Sequence, residues 1–319
     1  MCEIPVAHRE MECDDFVDEC VQLEKDSNLK FDECNHLYEE GMVFAAHQLM
    51  LKNIDCCADL GGRQSELYDA IKREHTLVFE KRNLIDTAYN WIECSSSEKG
   101  KGIDDSVSIS AHRDNALTFL VHAQLDAGAT PCIALASRLE YADEWIDAVS
   151  TSAFVRKVSE HSHIACLTIT NPVLRMLGGR VLYVRVYCFN NILFDGHYVV
   201  IVTPLSLADA QEYNVMGAQK TGVMRFFCFS TLTFIFSSVT GALGSPQARS
   251  NANVKICIEN MQIMRYTPAF FNSMICIDFF CRMCRNLANT ARQLGDMLYE
   301  GDRLLKLVAF LDLQSLSVE

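Results

Sequence analysis

The chain has 319 residues, of which half are hydrophobic, and a formal net charge of −13 at pH 7. This composition excludes wholesale disorder and suffices for one large domain or two ordinary ones. The 28 Lys and Arg residues are outnumbered by 41 Asp and Glu residues, which excludes a strongly basic nucleic-acid-binding surface. We therefore expect no nucleic-acid partner.

Fifteen cysteines are scattered along the chain, mostly inside apolar runs. Residues 1–20 are acidic and lack the apolar stretch of a secretory signal peptide. These features predict a reducing, cytoplasmic location in which cysteines serve as small hydrophobic residues.

Residues 1–95 are predicted to form an acidic helical N-terminal region. Residues 1–60 alone carry fifteen acidic and four basic side chains. A break near Gly41 separates two short helical segments, and a longer helix is predicted over residues 64–93, because branched apolar residues recur there every seven positions. These residues are Ile71, Val78, Ile85 and Ile92. We expect the N-terminal helices to be available for contact with a protein partner.

Residues 96–103 are rich in Ser, Gly and Lys and predict a linker. A second domain, predicted over residues 104–300, follows it, and residues 301–319 are predicted to be a C-terminal tail. Runs rich in β-branched and aromatic residues predict strands in the second domain, with one helix between the second and third strands. The predicted strands span residues 107–111, 116–125, 164–170, 180–189, 197–203 and 254–263, and the helix spans residues 131–149.

Residues 226–248 carry no charge, which leaves two interpretations. A membrane span needs about 20 apolar residues. This run contains several Ser and Thr residues and continues into Gly241 and Gly244, so a buried strand followed by a loop is favoured.

A long amphipathic helix is predicted from Thr267 to Met297. Thr267 can cap its first turn, and Pro268 suits the first helical position. Apolar residues recur every three or four positions on a broad face, and polar residues recur on the opposite face. The apolar face includes Met274, Ile277, Cys281, Cys284 and Ala288. Such a face requires a large apolar partner.

The order of these elements and a few anchoring residues resemble the START-like (StAR-related lipid transfer, helix-grip) domains. The anchoring residues are Glu144-Trp145 at a helix end, Asn171-Pro172 before Arg180, the turn Phe194-Asp195-Gly196-His197-Tyr198, and Thr267–Asn272. The resemblance covers about residues 104–296. It implies an α+β helix-grip fold, in which a curved antiparallel sheet is wrapped round a long C-terminal helix, here preceded by the α-helical N-terminal region.

The resemblance also implies non-catalytic binding or transfer of a lipid or other hydrophobic ligand in an internal tunnel, with transient membrane contact by a protein peripheral to membranes. Two alternatives stay open. One is an interaction protein whose START-like domain is degenerate and filled, and the other is a cyclase- or hydrolase-like enzyme of the same broad fold. The candidate tunnel residues are Arg180, Tyr183, Tyr187, Tyr198, Met274, Ile277, Cys281, Cys284 and Ala288.

Which face of the central strand points into the tunnel is left open, because Tyr183, Arg185 and Tyr187 alternate with equally plausible apolar residues. Arg180 could bind a lipid head group, pair with a buried carboxylate or end a strand in solvent.

No nucleotide-binding, metalloprotease or hydrolase motif is present, so the sequence predicts no enzyme and no cofactor. The Cys281-x-x-Cys284 pair has no second pair to complete a zinc site, so it predicts core packing and no metal. His161 and His163 are predicted to lie in a solvated loop, and Glu140 on a solvated helix face.

Overall fold

The computed structural model describes residues 30–53, 62–97, 106–170, 180–213, 226–237, 252–264 and 269–299. The longer helices are α1 (30–39), α2 (Val43–Asn53), α3 (Gly62–Asp86), α4 (Ala129–Ser137) and α8 (Ala269–Tyr299). The short helices are α5 (Ala142–Trp145), α6 (Ile192–Asp195) and α7 (Leu207–Glu212), with 3₁₀ turns at Ala88–Asn90 and Leu139–Tyr141. The strands are β1 (Trp91–Ser97), β2 (Ser106–His112), β3 (Asn115–Leu125), β4 (Val149–Ser159), β5 (Ser162–Ile169), β6 (Arg180–Asn191), β7 (His197–Pro204), β8 (Phe226–Cys228), β9 (Thr231–Ser237), β10 (Ala252–Glu259) and β11 (Gln262–Met264).

Nine strands form one antiparallel sheet in the order β1-β2-β3-β10-β9-β7-β6-β5-β4, and β8 pairs with β11 separately. Helices α4, α5 and α8 pack together and against one side of this sheet, which we call the inner face. Helices α2 and α3 cover the opposite side, the outer face. The fold is α+β, with a large curved sheet, a long C-terminal helix and N-terminal helices, as the sequence predicts.

The inner core lies between the inner face of the sheet and α4, α5 and α8. On β6, Leu182, Val184 and Val186 point into it, and on β7 Val200 and Val202 do so. The neighbouring residues Val199 and Ile201 of β7 are equally buried but belong to the outer face. A strand buried on both sides reads as an unbroken apolar run, which explains why β7 is readily predicted.

The outer core joins α2 and α3 to the outer face of the sheet. Its helical members are Val43, Phe44, Ala46, Ile71, Val78 and Ile85, and its sheet members are Leu120, Phe189, Val199, Ile201, Ile235 and Cys257. Ion pairs surround this core: Lys81 with Glu259 at 2.6 Å, Lys255 with Asp86 at 2.8 Å, and Arg82 with Asp195. The N-terminal helices are thus a layer of the same folded unit.

The helix predicted over residues 64–93 is too long at its C-terminal end. Helix α3 ends at Asp86, and Ile92, the fourth member of the seven-residue pattern, lies half-exposed in β1. Strand β1 pairs with β2, and Ser96 and Ser97 are opposite Ser108 and Val107. The predicted linker at 96–103 therefore begins inside a strand of the main sheet.

Strand β4 is not predicted from the sequence, and the helix predicted over residues 131–149 is in fact two helices joined by a 3₁₀ turn. Strand β4 lies at the edge of the sheet, and most of its side chains, including Phe154 and Val155, are exposed. A strand with solvent on most of its sides shows no regular alternation of apolar and polar residues.

The uncharged run is described over residues 226–237, where it forms β8 and β9. Strand β9 is buried between β10 and β7, which supports the interpretation of a buried strand. Among the described residues, no helix is long and apolar enough to cross a membrane. Thr267, Pro268 and the predicted tail at 301–319 lie outside the described residues.

Candidate functional site

Helix α8 presents a broad apolar face to the inner core. The side chains with essentially no exposure are Cys276, Phe280, Met283, Cys284, Leu287, Ala288 and Ala291. On the opposite side Asp278, Arg282, Arg285 and Arg292 are exposed. Phe280 packs against Phe119 of β3 with a ring-centre distance of 6.0 Å. The helix therefore lies on the sheet through a face that is wider than one stripe of residues.

Four of the predicted tunnel residues on α8 contact the inner core. Cys284 and Ala288 are fully buried, and Ile277 and Cys281 pack at its edge and are partly buried. Burial raises the pKa of the Cys281 thiol. The fifth residue, Met274, lies within α8, but its side chain is outside the described part of the structure.

The predicted strand residues divide between the two faces. Tyr198 of β7 packs against the inner core, whereas Tyr187 of β6 packs against the outer core. Tyr183 shares the outer side of β6 with Tyr187, because Leu182, Val184 and Val186 occupy the inner side. The structure therefore does not bring Tyr183 and Tyr187 to the inner core. Arg180 begins β6, and its side chain is outside the described residues.

A group of polar residues, which we call the polar cluster, lies at one end of the inner core. It consists of Ser137, Arg138, Glu140, His163, Cys188 and Tyr198. His163 Nε2 is 3.6 Å from Glu140 Oε2, and Arg138 donates a hydrogen bond to Glu140 Oε1 over 3.4 Å. The Tyr198 hydroxyl lies beside Ser137 and Cys188. Glu140 comes from the 3₁₀ turn after α4, and the other members come from the end of α4 and from strands β5, β6 and β7.

The expectation that His161, His163 and Glu140 lie in solvent is wrong. His161 is buried against Glu74, and the side chains of His163 and Glu140 are only 9% and 10% exposed. His163 follows the same alternation as Ala165, Leu167 and Ile169, which point into the inner core. This alternation is a signal in the sequence that could have placed His163 on the inner face. Glu140 had no such signal, because the 3₁₀ turn that directs it inward is not apparent from the sequence.

The environment of the polar cluster sets its protonation. Burial acts to raise the pKa of Glu140, but contact with His163, a backbone hydrogen bond and the charge of Arg138 outweigh it and hold that pKa below its usual value. Burial raises the pKa of the Cys188 thiol to about 11 and raises the pKa of Tyr198 as well. At neutral pH the cluster thus offers a carboxylate, a neutral thiol and a neutral phenol.

Several buried polar atoms on the inner side lack a hydrogen-bond partner among the described residues. They include Ser137 Oγ, Glu140 Oε2, His163 Nε2 and Nε1 of Trp145, whose ring packs edge-on against Phe234. A buried polar group without a partner costs free energy, about 1–3 kcal/mol. A polar group on a bound molecule could supply the missing partner, and an alcohol is an example because it both donates and accepts.

A metal is not indicated at this site. In the described part of the chain, no three His, Cys, Asp or Glu side chains are gathered closely enough to hold an ion. Cys284 packs in the inner core and Cys281 packs at its edge. Both lie on the same face of α8, because residues three apart share a helical face.

Of the comparisons with known proteins, the one with solved structures supports the fold. No family model matches the chain, and no curated protein matches it. Among solved structures, human STARD10 superposes with a TM-score of 0.53 at 9% identity, covering 70% of this chain and 81% of that one. Human StAR-related lipid transfer protein 5 superposes with a TM-score of 0.52 at 12% identity, covering 71% of this chain and 97% of that one. With its nine-stranded sheet and long C-terminal helix, this chain has the helix-grip fold of the START domains.

Proposed function

We propose that this protein binds a lipid or another hydrophobic molecule between α8 and the inner face of the sheet, and that it transfers this ligand without catalysing a reaction. The observation that carries the proposal is the polar cluster at one end of an otherwise apolar inner core. Ligand sites are lined mainly by apolar side chains, with a few polar groups that fix the orientation of the ligand. The two solved START-domain structures described above share the fold, and one of them is named a lipid transfer protein.

In this proposal the apolar part of the ligand lies along α8, near Ile277, Cys281, Cys284 and Ala288, and its polar end reaches Glu140, His163 and Tyr198. Arg180 and Met274 stay predicted contributors. Burial of the ligand stabilises the complex by about 0.8 kcal/mol for each CH₂ group removed from water. Glu140 Oε2 favours a ligand with a hydroxyl or amide N–H group, because an ionised carboxylate only accepts hydrogen bonds.

Entry of the ligand requires a movement, since α8 packs directly on β2, β3, α4 and α5. We propose that α8 or a neighbouring loop opens during transient contact with a membrane, in the way that mobile lids control access to other sites. The proposed place of action is the cytoplasm. A protein partner would meet the outer surfaces of α2 and α3, because their inner surfaces pack on the sheet.

The enzymatic alternative needs an acid–base pair in the inner core, and Glu140 with His163 meets that requirement only in part. Their closest atoms are 3.6 Å apart, which is too long for a hydrogen bond. Cys188 is a poor nucleophile, because a thiol with a pKa of about 11 stays protonated at neutral pH. These observations favour binding over catalysis.

Native mass spectrometry of protein purified from cells tests the proposal. We expect a mass above that of the polypeptide, and extraction should release a hydrophobic molecule. Glu140→Gln should weaken retention of that molecule about tenfold or more, because it removes a charged acceptor. Glu144→Gln is the matched control, since Glu144 is exposed on the adjacent α5. A wild-type protein that carries no ligand and takes up none from vesicles would refute the proposal.

A further inference from the structure

A second concentration of polar side chains lies on the outer face, away from the proposed ligand site. Arg185 of β6 stacks over the Tyr187 ring, with its guanidinium carbon 4.5 Å from the ring centre. Its two terminal nitrogens donate hydrogen bonds to neutral oxygens, Tyr213 Oη at 3.1 Å and Ser162 Oγ at 3.2 Å. The guanidinium is therefore held in a fixed orientation by two neutral oxygens and an aromatic ring.

A second guanidinium approaches the same tyrosine. The guanidinium carbons of Arg156 and Arg185 lie 6.0 and 5.9 Å from the centre of the Tyr213 ring. Strand pairing explains this arrangement, because Arg156 of β4 and Arg185 of β6 are both opposite Ile164 of the intervening β5. Both side chains thus occupy one row across the sheet.

Arg73 of α3 carries a third positive charge. Arg73, Arg185 and the buried carboxylate of Glu74 all act electrostatically on Tyr187 and on Tyr38 of α1. We call Arg73, Arg156 and Arg185 the arginine cluster. Its members come from a helix and two strands, so the tertiary fold alone brings them together.

The position of Tyr213 is set by the short helix that precedes it. Helix α7 begins with a reciprocal hydrogen-bonded cap between Ser206 and Asp209, and the Tyr213 amide donates to the Asp209 carbonyl. The chain just before α7 is tied to β6, since the Leu205 amide donates to the Tyr183 carbonyl over 2.9 Å. These bonds hold the Tyr213 ring beside the two arginines.

The carboxylates near the arginine cluster bind other side chains. Among the described residues, no carboxylate lies within ion-pairing distance of an arginine of the cluster. Glu74 is buried against His161 at 2.7 Å, and Glu160 pairs with Lys157. Residues 214–225, which follow Tyr213 in the sequence, contain no Asp or Glu. Arg73, Arg156 and Arg185 thus form no ion pair within the described part of the chain, although the buried Glu74 carboxylate acts electrostatically on the same tyrosines as Arg73 and Arg185.

One nitrogen of the arginine cluster has an unused hydrogen-bond donor. Arg185 Nε is buried and has no hydrogen-bond partner among the described residues. Arg185 uses two of its five N–H groups on Tyr213 and Ser162. A guanidinium in a fixed plane is suited to the tetrahedral oxygens of a phosphate group, which it can bind through two parallel hydrogen bonds.

We propose that Arg73, Arg156 and Arg185, together with Tyr213, form a binding site for a phosphate group on the outer face of the sheet. The phosphate group bridges Arg156 and Arg185 beside the Tyr213 ring, and Arg73 strengthens the positive field. A soluble phosphate compound and a phosphate-bearing lipid head group share this chemistry. The site does not depend on a ligand in the inner core.

Two titrations distinguish the sources of the phosphate group. Calorimetry with inorganic pyrophosphate tests a soluble anion, and sedimentation with phosphatidylcholine vesicles containing phosphatidic acid tests a head group in a membrane. We expect wild-type protein to bind at least one probe, more weakly as salt concentration rises. Pyrophosphate binding alone assigns the site to a soluble compound, and vesicle binding assigns it to a lipid surface.

Variants connect the binding to the cluster. Arg156→Gln removes an exposed cation and should weaken binding about tenfold or more, because it removes a charge-assisted hydrogen bond. Arg185→Lys keeps the charge but loses the two-pronged geometry, and we expect a similar loss. Arg113→Gln, an exposed change in the β2–β3 turn, is the control and should bind like wild type. Failure of the wild type to bind either probe, or an equal loss in Arg113→Gln and Arg156→Gln, would overturn the proposal.

Discussion

Single residues show how closely the N-terminal layer fits the sheet. Gly41, in the turn between α1 and α2, has a φ of +75°, and a Cβ atom there would lie 2.7 Å from the Cys188 carbonyl oxygen. Its own carbonyl accepts a hydrogen bond from the Asn190 amide over 3.1 Å. This turn therefore touches the backbone of β6 directly, and only glycine fits both the conformation and the space.

Gly41→Ala should lower the free energy of unfolding by about 2–5 kcal/mol, the sum of left-handed backbone strain and a steric clash. Gly196→Ala is the matched control, because Gly196 has nearly the same φ of +77° but nothing within 4 Å of its added Cβ. It should cost only about 1–2 kcal/mol, from the backbone alone. Urea unfolding measures both variants, and equal losses would show that the contact with β6 is unimportant.

Cys281→Trp separates a ligand tunnel from a filled core. Cys281 packs at the edge of the inner core, so in a tunnel the indole replaces the ligand, and lipid binding is lost while stability is nearly kept. In a filled core the same change causes overpacking, which typically costs about 1–3 kcal/mol. A fluorescent lipid and a urea midpoint, measured on one preparation, distinguish the two.

Asn289→Trp is the control for Cys281→Trp, because Asn289 is exposed on the same helix, and it should leave both measurements unchanged. If Cys281→Trp unfolds the protein and the wild type takes up no lipid, α8 only closes an ordinary core.

At the scale of elements, the β1–β2 pair decides how the N-terminal region is connected. Strand β1 pairs with β2 over Trp91–Ser97, and α3, which precedes it, packs on the outer face. A division at residues 96–103, which stays a prediction, would place β1 with the helices and β2 with the remainder of the sheet. The two parts would then be held together by the sheet and the outer core.

We expect a protease to cut first within residues 95–102, as the Ser- and Gly-rich composition predicts. The two fragments should remain together in size-exclusion chromatography under native conditions, because the β1–β2 pairing and the outer core survive the cut. They should separate only in denaturant. Fragments that separate without denaturant would indicate two independent domains, and preferred cleavage inside 163–205 would contradict a single folded sheet.

The sequence predicts an element best when each of its faces keeps the same environment along its whole length. Strand β7 is buried on both faces and is an unbroken apolar run, whereas α8 has one buried and one exposed side and shows the helical period. Strand β4 is mostly exposed, so its sequence shows no regular alternation of apolar and polar residues. The helix predicted over residues 64–93 runs past the end of α3, because Ile92 continues the spacing of Ile71, Val78 and Ile85, although Ile92 belongs to β1.

At the scale of the whole molecule, the sheet lies between two apolar layers. Removing residues 1–86 would expose the outer side chains Leu120, Phe189, Val199, Ile201, Ile235 and Cys257. Each large apolar side chain returned to water costs about 1.5–3 kcal/mol. We expect the shortened chain to aggregate or to unfold at a much lower urea concentration than the full chain.

Removing only residues 1–29 is the control for this truncation, because the helical residues of the outer core that the structure describes all come later in the chain. That protein should keep the urea midpoint of the full chain. A stable, soluble chain beginning at residue 87 would show instead that the helices are an independent attachment.

The sequence by itself determined strands β2, β3, β5, β6, β7 and β10, the amphipathic face of α8 and the helical character of α2 and α3. These properties are local, because the alternation of buried and exposed side chains along a helix or strand depends only on residues that are close in sequence. Only the tertiary structure decided which side of β6 faces α8, and so placed Tyr198 inside and Tyr187 outside. It also assembled the polar cluster and the arginine cluster. Their members are far apart in sequence and meet through strand register and the packing of whole layers, which no local pattern records.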